Sequence, residues 1–230
     1  MQQVLDRLLT KIQSADIDPL PSDNIFMEEV FDPKLYAEIL QRLPDDSIYK
    51  FIDHPDAILP DGRRTRKVLD LTDAPLQDFN PADLDFWRDM QAIMSANVLL
   101  DAIVKKFETR LHLRFGTTIP EMLLVPLFYR DYPGYYITEH TDVPYKIATL
   151  QFYLPRDHSQ VHLGTSFHLK KLTGFQLLKT NRFQPNSAYA FIRTDESWHS
   201  VKQLGADEQI RDTIALTVYV KGQEYNSKTY

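Results

Sequence analysis

Hydrophobic periodicity changes once along the 230-residue chain, at about Thr118, and that change limits the possible folds more than any other feature. Before it, apolar residues recur at helical spacing. Val4, Leu5, Leu8, Leu9 and Ile12 make one stripe. Leu35, Tyr36, Ile39, Leu40 and Leu43 make a second, with Asp32 as N-cap, Pro33 in the first turn and Pro44 as the stop. Asn80 and Pro81 open a longer stretch through Phe86, Met90, Ile93, Leu100, Ile103, Val104, Phe107 and Leu111, which divides near Asn97 into two helices. Beyond Thr118, short β-branched or aromatic runs at 122–129, 135–140, 147–154, 165–169, 187–192, 198–201 and 210–220 alternate with Pro, Gly, Asn and Asp turns. The pattern predicts an α+β, mainly β fold in which N-terminal helices brace a sandwich or barrel. With no Ser/Gly-rich linker, residues 1–230 are expected to form one domain, 1–117 as mainly helical support and 118–220 as the β core. The polar tail from Gly222 to Tyr230 is expected to fray.

Composition narrows the chemistry. The chain has no cysteine, so disulfides, thiolate zinc sites, iron–sulfur clusters and Cys nucleophiles are excluded, and any metal must bind His and carboxylate. A net charge of −6 gives no overall field for phosphate backbones, so no nucleic-acid partner is expected. The N-terminus is interrupted by Asp6, Lys11, Asp16 and Asp18, unlike the apolar core of a signal peptide, and no run approaches the length of a membrane span. A cytoplasmic protein without a membrane partner is the expectation.

Among seven His residues, His140 stands two positions before Asp142. In extended backbone, residues i and i+2 share a face, so imidazole and carboxylate can converge on one ion. Alone, the tripeptide is more often a chance pairing or a surface hydrogen-bonded His–Asp pair than a metal site. Downstream, Ser197-Trp198-His199-Ser200-Val201 presents another His, a turn at 204–208 reverses the chain, and the next strand brings back Arg211. On that strand Arg211, Thr213, Ala215, Thr217 and Tyr219 alternate with Ile214, Leu216, Val218 and Val220. One face packs, and the other is small and polar like a cavity lining. Two His and one carboxylate leave open positions on an ion, an arrangement favoured by non-haem Fe(II). A buried Arg needs an anion, and one followed by a hydroxyl two residues on suits a carboxylate.

With these residues in hand, the sequence resembles the Fe(II)/2-oxoglutarate-dependent oxygenases, on their prolyl-hydroxylase-like side. The resemblance rests on His140-x-Asp142, His199 and Arg211-x-Thr213, with Tyr132-Pro133-Gly134, Thr149, Tyr153-Leu154, Gly164-Thr165 and Pro185-Asn186 around them, and spans about Ile25 to Val220. It implies a double-stranded β-helix (jelly roll, cupin-like) with Fe(II) held by His140, Asp142 and His199. It implies further that Arg211 pairs with the far carboxylate of the co-substrate 2-oxoglutarate, aided by the Tyr153 phenol and the Thr213 hydroxyl. Tyr132 would lie near the iron as a catalytic residue. O2 would be the oxidant and ascorbate an accessory reductant. The implied reaction is hydroxylation of an unactivated C–H bond of a small molecule, or of a peptide or carrier-bound group, with release of succinate and CO2. Desaturation, epoxidation or cyclisation on the same scaffold, and a non-catalytic metal-binding jelly roll, are the competing readings.

Other features carry less. His158, His162 and His168 lack a carboxylate at ligand spacing followed by an Arg strand and read as structural or surface groups. Gly62-Arg63-Arg64-Thr65-Arg66-Lys67 reads as a solvated loop, with a lid that recognises an anionic substrate group as the functional alternative.

Overall fold

The structure, a computed structural model, describes residues 2–72 and 78–223. The first stripe becomes α1 (Gln2–Ser14), which buries Leu8 and Ile12. After β1 (Asn24–Glu28) comes α2 (Pro33–Gln41), capped by the Asp32 side chain, which accepts the Lys34 N–H, with Pro33 in the first turn. β2 (Lys50–Phe51) and β3 (Arg66–Asp70) follow. The long helical stretch is three helices rather than two, α3 (Leu84–Met94), α4 (Asn97–Lys106) and α5 (Glu108–Phe115). One break lies at the expected Asn97. The other falls at Phe107, whose backbone leaves the helical region (φ −107°, ψ 19°) while its ring is buried.

The second half runs β4 (Met122–Asp131), β5 (Ile137–His140), β6 (Lys146–Tyr153), β7 (Thr165–Lys170), β8 (Phe175–Thr180), β9 (Ser187–Ile192), β10 (His199–Val201) and β11 (Arg211–Val220). Two antiparallel sheets result, β1-β9-β6-β11-β4-β3-β2 and β5-β10-β7-β8. Alternation assigns each face of the large sheet. Ile214, Leu216 and Val218 of β11, with Leu150 and Phe152 of β6, join the core that includes Trp87, Leu99 and Ile103 of the helices. Tyr153, Tyr189 and Phe191, on the opposite face, pack with Phe167 and Val201 of the small sheet. Helices, large sheet and small sheet therefore form three layers, and the two sheets carry the expected jelly-roll architecture.

Four strands escape the periodicity reading. β8 is an edge strand whose Phe175 and Leu177 are exposed, so no buried face imposes alternation. β1, β2 and β3 lie in the stretch expected to be mainly helical, and β3 includes two cations of the run expected to be a solvated loop. Arg66 and Lys67 tolerate the strand because each meets a carboxylate, Arg66 on Asp131 at 2.6 Å and Lys67 on Asp46 at 2.5 Å. Residues 224–230 of the tail expected to fray lie outside the described residues. Among the described residues, no helix is long and apolar enough to cross a membrane.

Candidate functional site

The two sheets enclose a cavity of about 420 Å3 whose wall includes His140, Asp142 and His199. Strand pairing brings the two imidazoles together: His140 on β5 stands opposite His199 on β10, with ring centroids 4.2 Å apart. Asp142 follows β5 by two residues, and one ligand atom from each of the three falls within 4.8 Å of the others. Backbone carbonyls fix both rings. His140 Nδ1 is 2.9 Å from Thr138 O, and His199 Nδ1 is 2.9 Å from Ser197 O. Each Nδ1 thus carries the proton, and each Nε2 keeps its lone pair for an ion.

Asp142 is prepared in the same way. Lys146 donates to Oδ1 at 3.0 Å, while Oδ2 is buried without a partner and lies 4.0 Å from His199 Nε2. One oxygen is occupied and one is offered. Burial alone would raise the Asp142 pKa, but Lys146 and the two imidazoles outweigh it and hold the carboxyl at about 2. Burial pushes His199 down to about 4, against the pull of Asp142. At neutral pH the set is therefore one carboxylate and a neutral His199, the protonation states a divalent ion requires. Sequence reasoning missed Lys146; its signal is a cation four residues beyond Asp142, across the turn.

Arg211 opens β11 and is fully buried. Its Nε donates to Leu163 O at 2.9 Å and its Nη1 to Asp131 at 2.7 Å, whereas Nη2 has no partner although buried. Asp131, also fully buried, receives a second guanidinium from Arg66. Arg66, Asp131 and Arg211 stand directly opposite one another on β3, β4 and β11. Four polar atoms of this cavity wall, Asp142 Oδ2, Thr149 Oγ1, Tyr135 Oη and Arg211 Nη2, are buried and unpartnered. Such concentration is unusual, because buried polar groups are almost always hydrogen-bonded. The donors and acceptors left over fit an ion at one end of the cavity and an anion at the other.

The remaining expected residues lie elsewhere. Tyr153 is fully buried, accepts the Thr165 N–H on its hydroxyl at 2.8 Å and lies 5.6 Å, ring centroid to Cζ, from Arg211. Thr213 accepts from Gln151 Nε2 at 2.7 Å. Neither is in the cavity wall, which has Gln151 and Tyr135 in their place. Tyr132 lies just beyond β4 and gives its hydroxyl to Asp46, outside the wall that holds the His–Asp–His set. The β4 tyrosine that does line the cavity is Tyr129, opposite Thr213. Strand parity marks it: Leu127, Tyr129 and Asp131 share the face of Ala215, Thr213 and Arg211. Of the other histidines, His168 bonds Ser200 and His162 bonds Glu208, each in a local contact.

Solved structures with this architecture include a prolyl-4-hydroxylase from Pseudomonas putida, at 15% identity and a TM-score of 0.52, covering 95% of this chain and all of the other. An oxidoreductase of the 2OG-Fe(II) oxygenase family from Burkholderia pseudomallei matches at 10% identity, a TM-score of 0.50 and 95% and 89% coverage. The chain shares the oxygenase fold. The non-haem α-ketoglutarate-dependent epimerase SnoN of nogalamycin biosynthesis has it too, at 9% identity, a TM-score of 0.52 and 99% and 93% coverage. No family model matches the sequence, and no curated protein matches it. Within this oxygenase fold, the His–Asp–His set and the buried guanidinium lie on the two sheets that enclose the cavity, β5 and β10 on one side and β11 on the other.

Proposed function

We propose that the protein is an Fe(II)- and 2-oxoglutarate-dependent oxygenase that hydroxylates an unactivated C–H bond of a small metabolite or modified side chain. The observation that carries this reading is one cavity with an ion-ready His–Asp–His set and, in the same wall, a buried guanidinium nitrogen without a partner. When bound, Fe(II) supplies the activation of O2, and 2-oxoglutarate supplies two electrons as it leaves as succinate and CO2.

The chain's own residues provide binding, orientation and exclusion of water. His140 Nε2, His199 Nε2 and Asp142 Oδ2 hold the metal, and Lys146 keeps Asp142 from turning its second oxygen inward. Arg211 Nη2 receives the far carboxylate of the co-substrate in a charge-assisted hydrogen bond. Tyr153 and Thr213 support that end from beneath the wall, the former through its contact with Arg211 and the latter through Gln151. Phe191, Ala215, Val201 and Ile137 give the cavity apolar wall, which strengthens the polar contacts by keeping water away. Ile52, His54, Asp56 and Ala57 of the N-terminal half complete the wall and offer the substrate a mixed apolar and polar surface.

Anaerobic titration of Fe(II) with 2-oxoglutarate tests the reading through a weak visible charge-transfer band. The wild type should develop the band. Folded His199→Ala should not, and Arg211→Ala should need at least tens-fold more 2-oxoglutarate. Wild-type behaviour in folded His199→Ala would refute the metal assignment. Since an epimerase has the same fold, hydroxylation is distinguished by a product 16 mass units heavier than its substrate, alongside succinate.

A further inference from the structure

Of the four cations in the run from Arg63 to Lys67, three serve contacts outside the cavity: Arg63 meets Asp61, Arg64 meets Asp53 and Lys67 meets Asp46. Arg66 alone among them lines the cavity. Its guanidinium lies 4.3 Å from the ring centroids of both Tyr129 and Tyr135. Contact with two aromatic rings leaves the in-plane N–H groups as the useful donors. One edge, through Nε at 2.6 Å and Nη2 at 3.4 Å, goes to Asp131. The Tyr135 hydroxyl, on a residue 1% exposed, has no partner.

Charge counting says what this corner takes. Arg211 and Asp131 by themselves would be a neutral buried pair, with little preference for an anion. Arg66, added across β3, leaves one uncompensated positive charge on the row Arg66–Asp131–Arg211. An excess charge on a row whose Asp131 and Arg211 are fully buried calls for a counter-ion. Of the unpartnered groups here, Arg211 Nη2 is a donor and the Tyr135 hydroxyl can donate as well. The corner thus suits a single anionic group, which both unpartnered groups can meet with an N–H or O–H.

We infer that Arg66 and Tyr135 complete, with Arg211, a two-guanidinium clamp for the far carboxylate of the co-substrate, and that Arg66 confers the preference for a dicarboxylate. This rests on the oxygenase reading above and adds two residues from outside its motif. Asp131 is the positioning residue between the two guanidiniums, and it prevents their mutual repulsion.

The test is binding without turnover. Fe(II)-loaded protein under anaerobic conditions is titrated calorimetrically with 2-oxoglutarate and with pyruvate, which keeps the chelating keto-acid and lacks the far carboxylate. Arg66→Lys retains the charge but loses the planar fork and its contact with two rings. It should bind 2-oxoglutarate roughly tenfold more weakly, with pyruvate and Fe(II) affinities unchanged. Tyr135→Phe keeps the ring and removes only the hydroxyl, so it should fold even where Arg66→Lys does not, and should weaken 2-oxoglutarate several-fold. If both folded variants, or Tyr135→Phe where it alone folds, bind 2-oxoglutarate within twofold of wild type, the clamp is overturned and the oxygenase reading stands. If the wild type itself fails to prefer 2-oxoglutarate to pyruvate, the co-substrate assignment falls and the clamp falls with it.

Discussion

Asp131→Asn is the most informative perturbation of stability, because it removes a charge and little volume at the middle of a buried row. Asp131 is fully buried and accepts from Arg66 at 2.6 Å and from Arg211 at 2.7 Å. An amide at this position still accepts one hydrogen bond but neutralises neither guanidinium. Removing one partner of a buried ion pair costs about 3–5 kcal/mol, and Arg211 is fully buried. A loss of at least ~3 kcal/mol is therefore expected, which at a urea m-value near 3 kcal/mol/M moves the midpoint down by about 1 M. The assay is equilibrium urea unfolding followed by fluorescence and circular dichroism. The combined variant Arg66→Met, Asp131→Leu, Arg211→Met separates charge from shape. Replacing a whole buried ionic group by apolar residues is often nearly neutral, so this variant should recover much of the lost stability while losing 2-oxoglutarate binding. An Asp131→Asn midpoint within 0.2 M of wild type, on the same ~3 kcal/mol/M slope, would refute the view that this row is held by its central charge.

Three further outcomes follow from single contacts. A Cβ built on Gly164 would lie 1.7 Å from the Asn181 carbonyl oxygen; Gly164→Ala should therefore cost about 2 kcal/mol or more by overpacking, measured by urea unfolding. Because Leu163 O holds Arg211 Nε, the same variant should weaken 2-oxoglutarate binding. Lys146→Met removes the partner of Asp142 Oδ1 and should lower Fe(II) affinity roughly 10–100-fold in a metal titration, as losses around metal ligands do. Asp46, although burial opposes it, is held at about 2 by hydrogen bonds from Lys67, Tyr132 and Arg130. A carboxyl depressed in the folded state stabilises above its unfolded pKa of about 3.9, and that stability is lost as pH falls towards 2. Asp46→Asn should flatten the acid-unfolding curve between pH 4 and 2, and an unchanged curve would show that these contacts carry no net stability.

The β core and the clustering of His140, Asp142 and His199 were legible because both follow from local spacing. The i, i+2 relation of His140 and Asp142 survives in the structure even though Asp142 lies past the strand end, and the alternation of β11 divides helix-facing from cavity-facing residues as the sequence implied. Tyr132 was expected near the iron from a motif position, whereas strand parity turns Tyr129 to the cavity. Counting back along β4 from Arg211's opposite residue gives Asp131, then Tyr129, on the cavity face. Arg66 looked like part of a solvated run because four cations in five positions resemble a loop, and only pairing with β4 reveals the carboxylate that admits it to the interior.

What separates the two kinds of residue is the range over which their partners are chosen. The His–Asp–His set needs a few side chains on one face, and two of the three are fixed by adjacent sequence. The charge of the opposite corner is fixed by register across three strands whose members are 65 and 80 residues apart in sequence. Shifting β3 by one residue would turn Arg66 to the other face and place Lys67 in its row, because side chains alternate along a strand. The row would keep its formal charge but lose the planar group held against Tyr129 and Tyr135. Sequence composition is blind to that difference, and so is net charge. Register turns an unremarkable basic run into one guanidinium at one position, and so the N-terminal half, which reads as a helical brace, also helps to set the chemistry of the cavity.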